Sequence, residues 1–464
     1  MGRMKIRPDI FYCSNFIKTI YQRGTMSVQT DNTPTISPAV RRRAVIAAVL
    51  GNAFEFFDFA IYGMFAVVIA KVFFPAVNDI NSIMATVAVF GTAFVLRPIG
   101  GILLGMYTDI VGRKKALSLT VLLMALGTGM IGLIPPYAVI GIAAPILIVL
   151  ARLIQGFSMG GEFSGAVSML IEFSPKHRRG LYGSWQMSSQ GLAFSLGSLS
   201  AFLLTQGLSP EALESWGWRV PFLLGILIGP VGFYLRRRVG ESPEFAEALR
   251  LQPKPIRSPL IEVLKRFPKE MMCGFGLIVV GAAASYVVII YLPIFGVKQL
   301  GLTLGEVQWS TFLACLILLV LCPVAGYVSD RIGRKPVLFA AIVAYALVVY
   351  PLFTNLLESR SLAAMILIQC SLAVGMSFFW GPMPASMAEL FPVRIRSTGL
   401  SLSFNLGGAL FGGLAPLYLT YLLKGGHLMA PAYYLIVTAV IGLIATWALD
   451  FKKAQATQAS WQAG

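Results

Sequence analysis

The sequence predicts an all-α integral membrane protein, with twelve transmembrane helices in two pseudo-symmetric six-helix bundles. Three observations predict it. The chain is 57% hydrophobic and only 12% charged, whereas soluble domains average about 25% charged residues. Its apolar runs number about twelve, each near the ~20 residues that cross a bilayer. A short polar segment also recurs at the corresponding place in each half of the chain, which points to duplication.

Read between charged and Pro/Gly breaks, the first six runs fall at 44–70, 82–106, 116–134, 139–168, 180–206 and 218–236. The second six fall at 271–295, 307–328, 336–355, 362–386, 397–421 and 431–450. Residues 44–236 are therefore expected to form the N-terminal bundle and 271–450 the C-terminal bundle. Between them, 237–270 is polar, basic and Pro-containing, the one long connection, and reads as a cytoplasmic linker. Residues 1–43 form a cytoplasmic arm and 451–464 a short cytoplasmic tail. Residues 1–25 are basic and mildly apolar but lack a long apolar core and a clear small-residue cleavage site. Met26 opens a polar stretch, SVQTDNTPTISP, and is the expected start. A disordered arm running from Met1 is the alternative.

The net charge of +17 has a topological explanation. Arg41, Arg42 and Arg43 precede the first span. Arg113, Lys114 and Lys115 follow the second, and Lys176, Arg178 and Arg179 follow the fourth. Arg236, Arg237 and Arg238 open the linker. Arg331, Arg334 and Lys335 follow the eighth span, Arg394 and Arg396 the tenth, and Lys452 and Lys453 the last. The other connections hold only Lys71, Lys298, Arg360 and Lys424. Cationic cytoplasmic loops obey the positive-inside rule, so both termini are expected in the cytoplasm of a bacterial inner membrane. No soluble module is left to bind nucleic acid.

Other classes are excluded by what is missing. There is no GxxxxGKS/T stretch for a nucleotide, and no HExxH or Cys/His cluster. His177 and His427 lie in loops and form no ligand set by themselves. Of Cys13, Cys273, Cys315, Cys322 and Cys370, four fall in or at apolar spans and none form a CxxC pair. No enzyme, cofactor or metal is expected. Two halves with unequal charges suit alternating access better than a symmetric pore.

The duplication is specific. Gly105, Asp109, Gly112, Arg113, Lys114 and Leu117 match Gly326, Asp330, Gly333, Arg334, Lys335 and Leu338 at an offset of 221. Glu172, Pro175 and Arg179 match Glu389, Pro392 and Arg396 at an offset of 217. Transporters rock such halves about a midplane site. The G-x3-D-x2-G-R-K segment resembles the signature of the major facilitator superfamily. GNAFEFFDFAIYG (51–63), RPIGG (97–101), RLIQGFSMGGEFSG (152–165) and ESPEF (241–245) resemble its metabolite:proton symporter branch. That branch includes citrate, 2-oxoglutarate, shikimate and proline/betaine carriers. The resemblance runs from about Arg41 to Lys453 and implies a monomeric symporter.

In that superfamily the signature Asp holds the two halves together on the inside. The gating residues implied here are Gly105, Asp109, Gly112, Arg113, Asp330, Gly333 and Arg334. Gly105 permits close helix approach and Gly112 a tight turn. A partly dry ion pair makes a latch that must break when the gate opens. A purely topological cluster of positive charge is the alternative.

Ionisable groups inside a span cost ~2.5–3.5 kcal/mol or more, so each is a functional candidate. Glu55, Asp58 and Tyr62 share a face of the first span. Arg97 lies in the second. On the fourth, Arg152, Gln155, Met159 and Glu162 fall within roughly an 80° arc. A carboxylate kept from water can take up and release a proton. Asp58 and Glu55 lead as proton-coupling residues, followed by Glu162. Arg97 is the expected substrate anchor because its fork holds a carboxylate bidentately; Arg152 is the second, with Tyr62, Gln155 and Gln190 as further contacts. Fixed ion pairs that only orient helices are the alternative, as interhelical hydrogen bonding is for Gln186, Gln190 and Asn405. Phe379 and Trp380 either wall the site or face lipid.

The expected function is proton-coupled symport of a small carboxylate, of citrate or dicarboxylate type, which two arginines suit. A proline/betaine-type zwitterion is the alternative, since the Arg-Pro pair also occurs in family members that carry zwitterions. Osmosensing members of the branch carry a long C-terminal coiled coil; the residues after Asp450 show no heptads.

Overall fold

Long apolar runs in a bilayer satisfy their backbone by forming helices, and helices account for every regular element among the described residues. The computed structural model describes residues 37–74, 79–226, 234, 240–251 and 258–463. The arm up to residue 36, and with it the choice between Met1 and Met26, lies outside them. Eleven helices are long and apolar enough to span. The twelfth expected span, 218–236, is described mainly at its start, where 219–226 is helical.

The first bundle contains α1 (Pro38–Met64), followed by the short α2 (Ala66–Phe73), α3 (Asp79–Val111), α4 (Arg113–Leu133), α5 (Ala143–Glu172) and α6 (Arg179–Gly207). The linker carries α7 (Pro243–Leu251) and α8 (Pro259–Arg266). The second bundle contains α9 (Pro268–Ser285) continuing into α10 (Leu292–Leu300), then α11 (Leu304–Ile332), α12 (Arg334–Ser359) and α13 (Leu362–Trp380). The short α14 (Met383–Ala388), α15 (Arg396–Gly408), α16 (Ala415–Lys424) and α17 (Ala430–Ala448) complete it. The last helix, α18 (Phe451–Ala463), follows α17.

Helix ends are written in the sequence. Gly112 separates α3 from α4 at φ 99°, and Gly333 separates α11 from α12 at φ 94°, a region where only glycine is unstrained. Thr303 and Glu306 form a capping box at the start of α11. Of the π-helical stretches among the described residues, Tyr286–Tyr291 follows α9 and Ala409–Gly413 follows α15, and each widens its helix, as such insertions do at functional sites.

Within the first bundle α5 packs on α3 and α4, and α1 on α6. Gly156 and Gly160 make the α3–α5 contact possible, since a Cβ on either would collide with the backbone of α3 around Ala93 and Arg97–Gly101. In the second bundle α9 packs on α17, and α13 on α11 and α12. Two long contacts join the bundles: α6 along α11, and α3 along α15.

The linker and tail differ from the loop and tail expected. Pro at the first helical position starts both linker helices, and Ser258 caps α8 through the Ile261 N–H. α8 buries Pro259 and Val263, and α18 rests beside it, with Trp461 edge-on to Phe267.

Candidate functional site

Polar residues gather in three layers, two at the boundary of the bundles and one inside the first bundle. The first is at the end where the repeated segments sit. Asp109, at the last turn of α3, accepts the Ser397 N–H at 3.2 Å, the Thr398 N–H at 2.8 Å and the Thr398 hydroxyl at 2.8 Å. It thereby caps the start of α15 in the other bundle, where free N–H groups favour an anion. Asp330 repeats this from the opposite side, accepting the Gly180 and Leu181 N–H groups at 2.7 and 2.8 Å at the start of α6. Gly105 lies one turn above Asp109 against Ser401 and Ser397, which brings α3 and α15 close enough for that cap.

Around the two aspartates the charges interlock. Arg113 grips Glu172 with two donors, at 3.1 and 3.0 Å. It also donates to the Val393 carbonyl of the second bundle at 2.6 Å. Arg396 reaches back to Glu172 at 2.9 Å. Arg334 pairs with Glu389 and lies at 4.0 Å from Asp330. The linker joins in. Glu241 accepts the Arg113 N–H at 2.9 Å, Ser242 bonds Glu172, and Glu244 binds both Arg179 and Arg396. Phe245 lies under the Arg113 guanidinium at 4.2 Å. Buried pairs this dense contribute only while every partner is present, so the end is closed as a unit.

The second layer is a central cavity between the bundles. Phe56 of α1, Arg97 of α3, Gln190 and Phe194 of α6 line it from the first bundle. Ser285, Tyr286, Trp380 and Phe404 line it from the second. Arg97 is 3% exposed. Its Nε donates to Asn405 Oδ1 at 2.9 Å and its Nη1 lies 3.5 Å from the Tyr286 hydroxyl. Its guanidinium sits over the Phe404 ring at 5.0 Å, and that ring stacks on Phe163 at 3.6 Å. Asn405 also donates to the Gly160 carbonyl at 2.8 Å, so one side chain of the second bundle is bonded to two helices of the first. The Gln190 amide nitrogen has no hydrogen-bond partner among the described residues. Trp380 donates its indole N–H to Ser285 at 3.0 Å.

The third layer is buried inside the first bundle. Arg152, Tyr62, Gln155 and Asp58 are not among the cavity-lining residues. Arg152 is fully buried with its guanidinium over the rings of Tyr62 at 4.4 Å and Phe59 at 4.8 Å. It donates to Gln155 Oε1 at 2.9 Å, and Gln155 donates to Thr128 Oγ1 at 2.9 Å. The Thr128 hydroxyl then donates to Asp58 Oδ2 at 2.8 Å. Glu55 is buried one turn before Asp58, at 3% exposed.

The structure therefore divides the groups read from the sequence. Arg97 and Gln190 meet at the cavity. Arg152, Tyr62 and Gln155, expected as substrate contacts, gather round Asp58 instead. Glu162 turns away from both, accepting the Thr120 hydroxyl of α4 at 2.7 Å. Gln186 is spent on an interhelical pair with Asn52 at 3.1 Å. Trp380 walls the cavity and Phe379 packs edge-on behind it. Thr128, Tyr286 and the lining residues Phe56, Phe194 and Phe404 were not singled out by sequence. Aromatic residues in an apolar run carry the same periodicity whether they face a core or a cavity, and no signal separated them.

Comparison with known proteins follows the same outline. Residues 44–250 match the family described as sugar (and other) transporter, and residues 274–462 match the major facilitator superfamily. A citrate-proton symporter of Klebsiella pneumoniae is 37% identical over 416 residues, covering 89% of this chain and 93% of the relative. A proline/betaine transporter of Salmonella typhimurium is 36% identical over 414 residues, covering 87% of this chain and 82% of the relative. Among solved structures, a proton:xylose symporter bound to 6-bromo-6-deoxy-D-glucose superposes with a TM-score of 0.76. It is 16% identical and covers 91% of this chain and 99% of that one, a likeness of fold.

Proposed function

Since the chain belongs to the major facilitator superfamily, in its metabolite:proton symporter branch, we propose that it moves a small carboxylate-bearing metabolite together with a proton by alternating access. It is a multi-pass inner-membrane transporter and not an enzyme. The observation that carries the reading is Arg97. It is the one cation among the described residues that line the central cavity, and a guanidinium held by Asn405 and Tyr286 is preorganised for a carboxylate.

Each layer has a part in this reading. Arg97 anchors the carboxylate and Gln190 orients the ligand. Asp58 carries the proton, with Glu55 beside it. Asp109, Arg113, Asp330 and Arg334 latch the end that we place in the cytoplasm, together with Gly105, Gly112 and Gly333. That placement rests on the basic residues gathered there and puts both termini inside. The moving parts are the bundles 44–236 and 271–450, tied by the linker 237–270 and flanked by the arm 1–43 and the tail 451–464. The working unit is a monomer.

One observation favours the zwitterionic substrate class over citrate or a dicarboxylate. The polycarboxylate reading drew on two arginines, and Arg152 is buried against Phe59 and Tyr62 away from the cavity lining. One guanidinium neutralises one carboxylate. Further carboxylates among Phe56, Phe194, Tyr286, Trp380 and Phe404 would be unpaired charges in an apolar enclosure, which is costly. A proline- or betaine-type ligand is neutral overall, and its cationic end suits aromatic faces.

The test is uptake of radiolabelled glycine betaine, L-proline, citrate and 2-oxoglutarate into proteoliposomes, with and without a protonophore. Protonophore-sensitive accumulation of a carboxylate-bearing substrate is expected. Accumulation of none of them, or accumulation that ignores the protonophore, rejects the reading. Preference for citrate over betaine rejects the zwitterionic choice alone.

A further inference from the structure

Asp58 and Arg152 are the two ends of one hydrogen-bonded chain whose direction is forced by its ends. Arg152 can only donate, and an ionised Asp58 can only accept. Every hydrogen between them must therefore point toward Asp58: Arg152 to Gln155 at 2.9 Å, Gln155 to Thr128 at 2.9 Å, and Thr128 to Asp58 at 2.8 Å. The second Asp58 oxygen, Oδ1, has no hydrogen-bond partner among the described residues. It faces Gly225, where a Cβ would come within 2.5 Å of it. All four side chains are buried, with Gln155, Thr128 and Arg152 fully so.

We infer that Thr128 and Gln155 are positioning residues that convert protonation of Asp58 into release of Arg152. The inference rests on the reading of Asp58 as the proton carrier. When Asp58 takes a proton from water and carries it on Oδ2, the oxygen that faces a hydrogen-bond partner, it gains a donor. Its O–H then points at Thr128, whose own hydroxyl hydrogen turns to Gln155. To accept it, the Gln155 amide rotates and puts its NH2 against the Arg152 guanidinium. Two donors face each other, and Arg152 loses that acceptor. Loss of the proton restores the original direction.

Arg152 is well placed to pass this on. It lies over Phe59, Phe59 meets Phe94 at 5.4 Å, and Phe94 meets Tyr286 of the second bundle at 5.3 Å. Tyr286 is the residue that bonds Arg97 in the cavity.

The charged and titratable groups around Asp58 leave this chain distinct. On α1 they are Glu55 and Tyr62. From α4 the group facing it is the neutral Thr128, and from α5 it is Arg152 through Gln155. On the helical segment 219–226, Arg219 is engaged with the Gly132 carbonyl at 2.7 Å. The α1–α6 contact is made by the neutral Asn52, Gln186 and Ser189.

The full-length protein in proteoliposomes provides the test, with radiolabelled glycine betaine and citrate as probes. Uphill accumulation, exchange without a gradient, and carbodiimide modification of Asp58 against pH are measured. The last is read by mass spectrometry and requires no substrate, because carbodiimides attack the protonated acid. T128V removes a donor to the ionised carboxylate. Its modification profile should move to alkaline pH by about one unit, the size of one hydrogen bond to a charged group. T128S, which keeps the hydroxyl, should restore the parent profile. Q155L should keep the parent modification profile while the ratio of accumulation to exchange falls about tenfold or more. A parent profile in T128V, an equal shift in T128S, or full accumulation in Q155L overturns the relay. If D58N still accumulates substrate, the carrier assignment itself is wrong. If D58N fails to accumulate while T128V and Q155L match the parent, only the relay is.

Discussion

Asp109 accepts both the backbone N–H and the hydroxyl of Thr398 at 2.8 Å, although the two residues belong to different bundles. A carboxylate on a helix N-terminus is favoured by charge as well as by hydrogen bonds, and the buried Arg113 at 3.4 Å adds to it. Asp109→Asn keeps an acceptor but loses the charge. The closed end should weaken by about 1–2 kcal/mol, raising the fraction open there roughly tenfold. Turnover should fall while substrate affinity changes less than about threefold. Cysteine accessibility at that end and initial rates of uptake check this, and normal rates with unaltered accessibility would remove the latch.

Arg97 holds its place through Asn405 on Nε and Tyr286 on Nη1, and lines the cavity. Arg97→Lys keeps the charge but replaces a planar, bidentate donor set with a single ammonium. Half-saturation for any carboxylate-bearing substrate should rise about tenfold or more, the loss of one charge-assisted hydrogen bond. Binding of unchanged affinity in this variant would mean that the carboxylate is held elsewhere.

How much of this was legible in the sequence differs by layer. Asp109 and Asp330 were found because duplication marks them twice, and their chemistry needs only the helix end that each faces. Arg97 was found because a charge inside an apolar run stands out. Arg152, Gln155 and Asp58 also stood out, but Thr128, which joins Gln155 to Asp58, did not. A helical wheel gives the face a residue occupies and not which neighbouring helix meets it. Thr128 shows the limit most clearly: a hydroxyl set between Gly127 and Gly129 in an apolar stretch of α4 carries no periodicity of its own. Tyr286 was hidden for a further reason, since the π-helical stretch it opens shifts the register that a regular wheel assumes.

Trp380 distinguishes the substrate classes. It forms a wall of the cavity with its indole fixed by Ser285 at 3.0 Å. A cationic headgroup over that face gains about 0.5–2 kcal/mol. Trp380→Ala should therefore weaken glycine betaine binding roughly two- to thirtyfold, and citrate binding, if measurable, much less. Competition assays on the same preparation give both values, and an equal loss for the two ligands would count against the aromatic enclosure as the seat of a cation.

Asp58→Asn replaces the proton carrier with an amide of the same shape that still accepts from Thr128. Accumulation driven by a pH gradient should drop to the level set by equilibration, while exchange of labelled for unlabelled substrate continues. The motive is a buried carboxyl with a hydrogen-bond partner on one oxygen only among the described residues. Undiminished uphill uptake would show that the proton travels by another group.

Glu162 makes the complementary case. It lies in the same fourth span as Arg152, and its place on the wheel put it on the same polar stripe. Yet its carboxylate accepts from Thr120 at 2.7 Å, and Ser158 donates to the Thr120 carbonyl at 2.6 Å, so the group joins α5 to α4 below the relay. Glu162→Gln retains an acceptor for Thr120. Accumulation ratios within about twofold of the parent are expected, with any cost limited to the ~1–3 kcal/mol of a disturbed buried hydrogen bond and visible as a lower thermal midpoint. The comparison with Asp58→Asn is what gives the measurement its force, because both variants neutralise one buried acid of the same bundle. If Glu162→Gln also lost accumulation at unchanged thermal stability, proton coupling would be shared between the two acids and the assignment to Asp58 alone would fall.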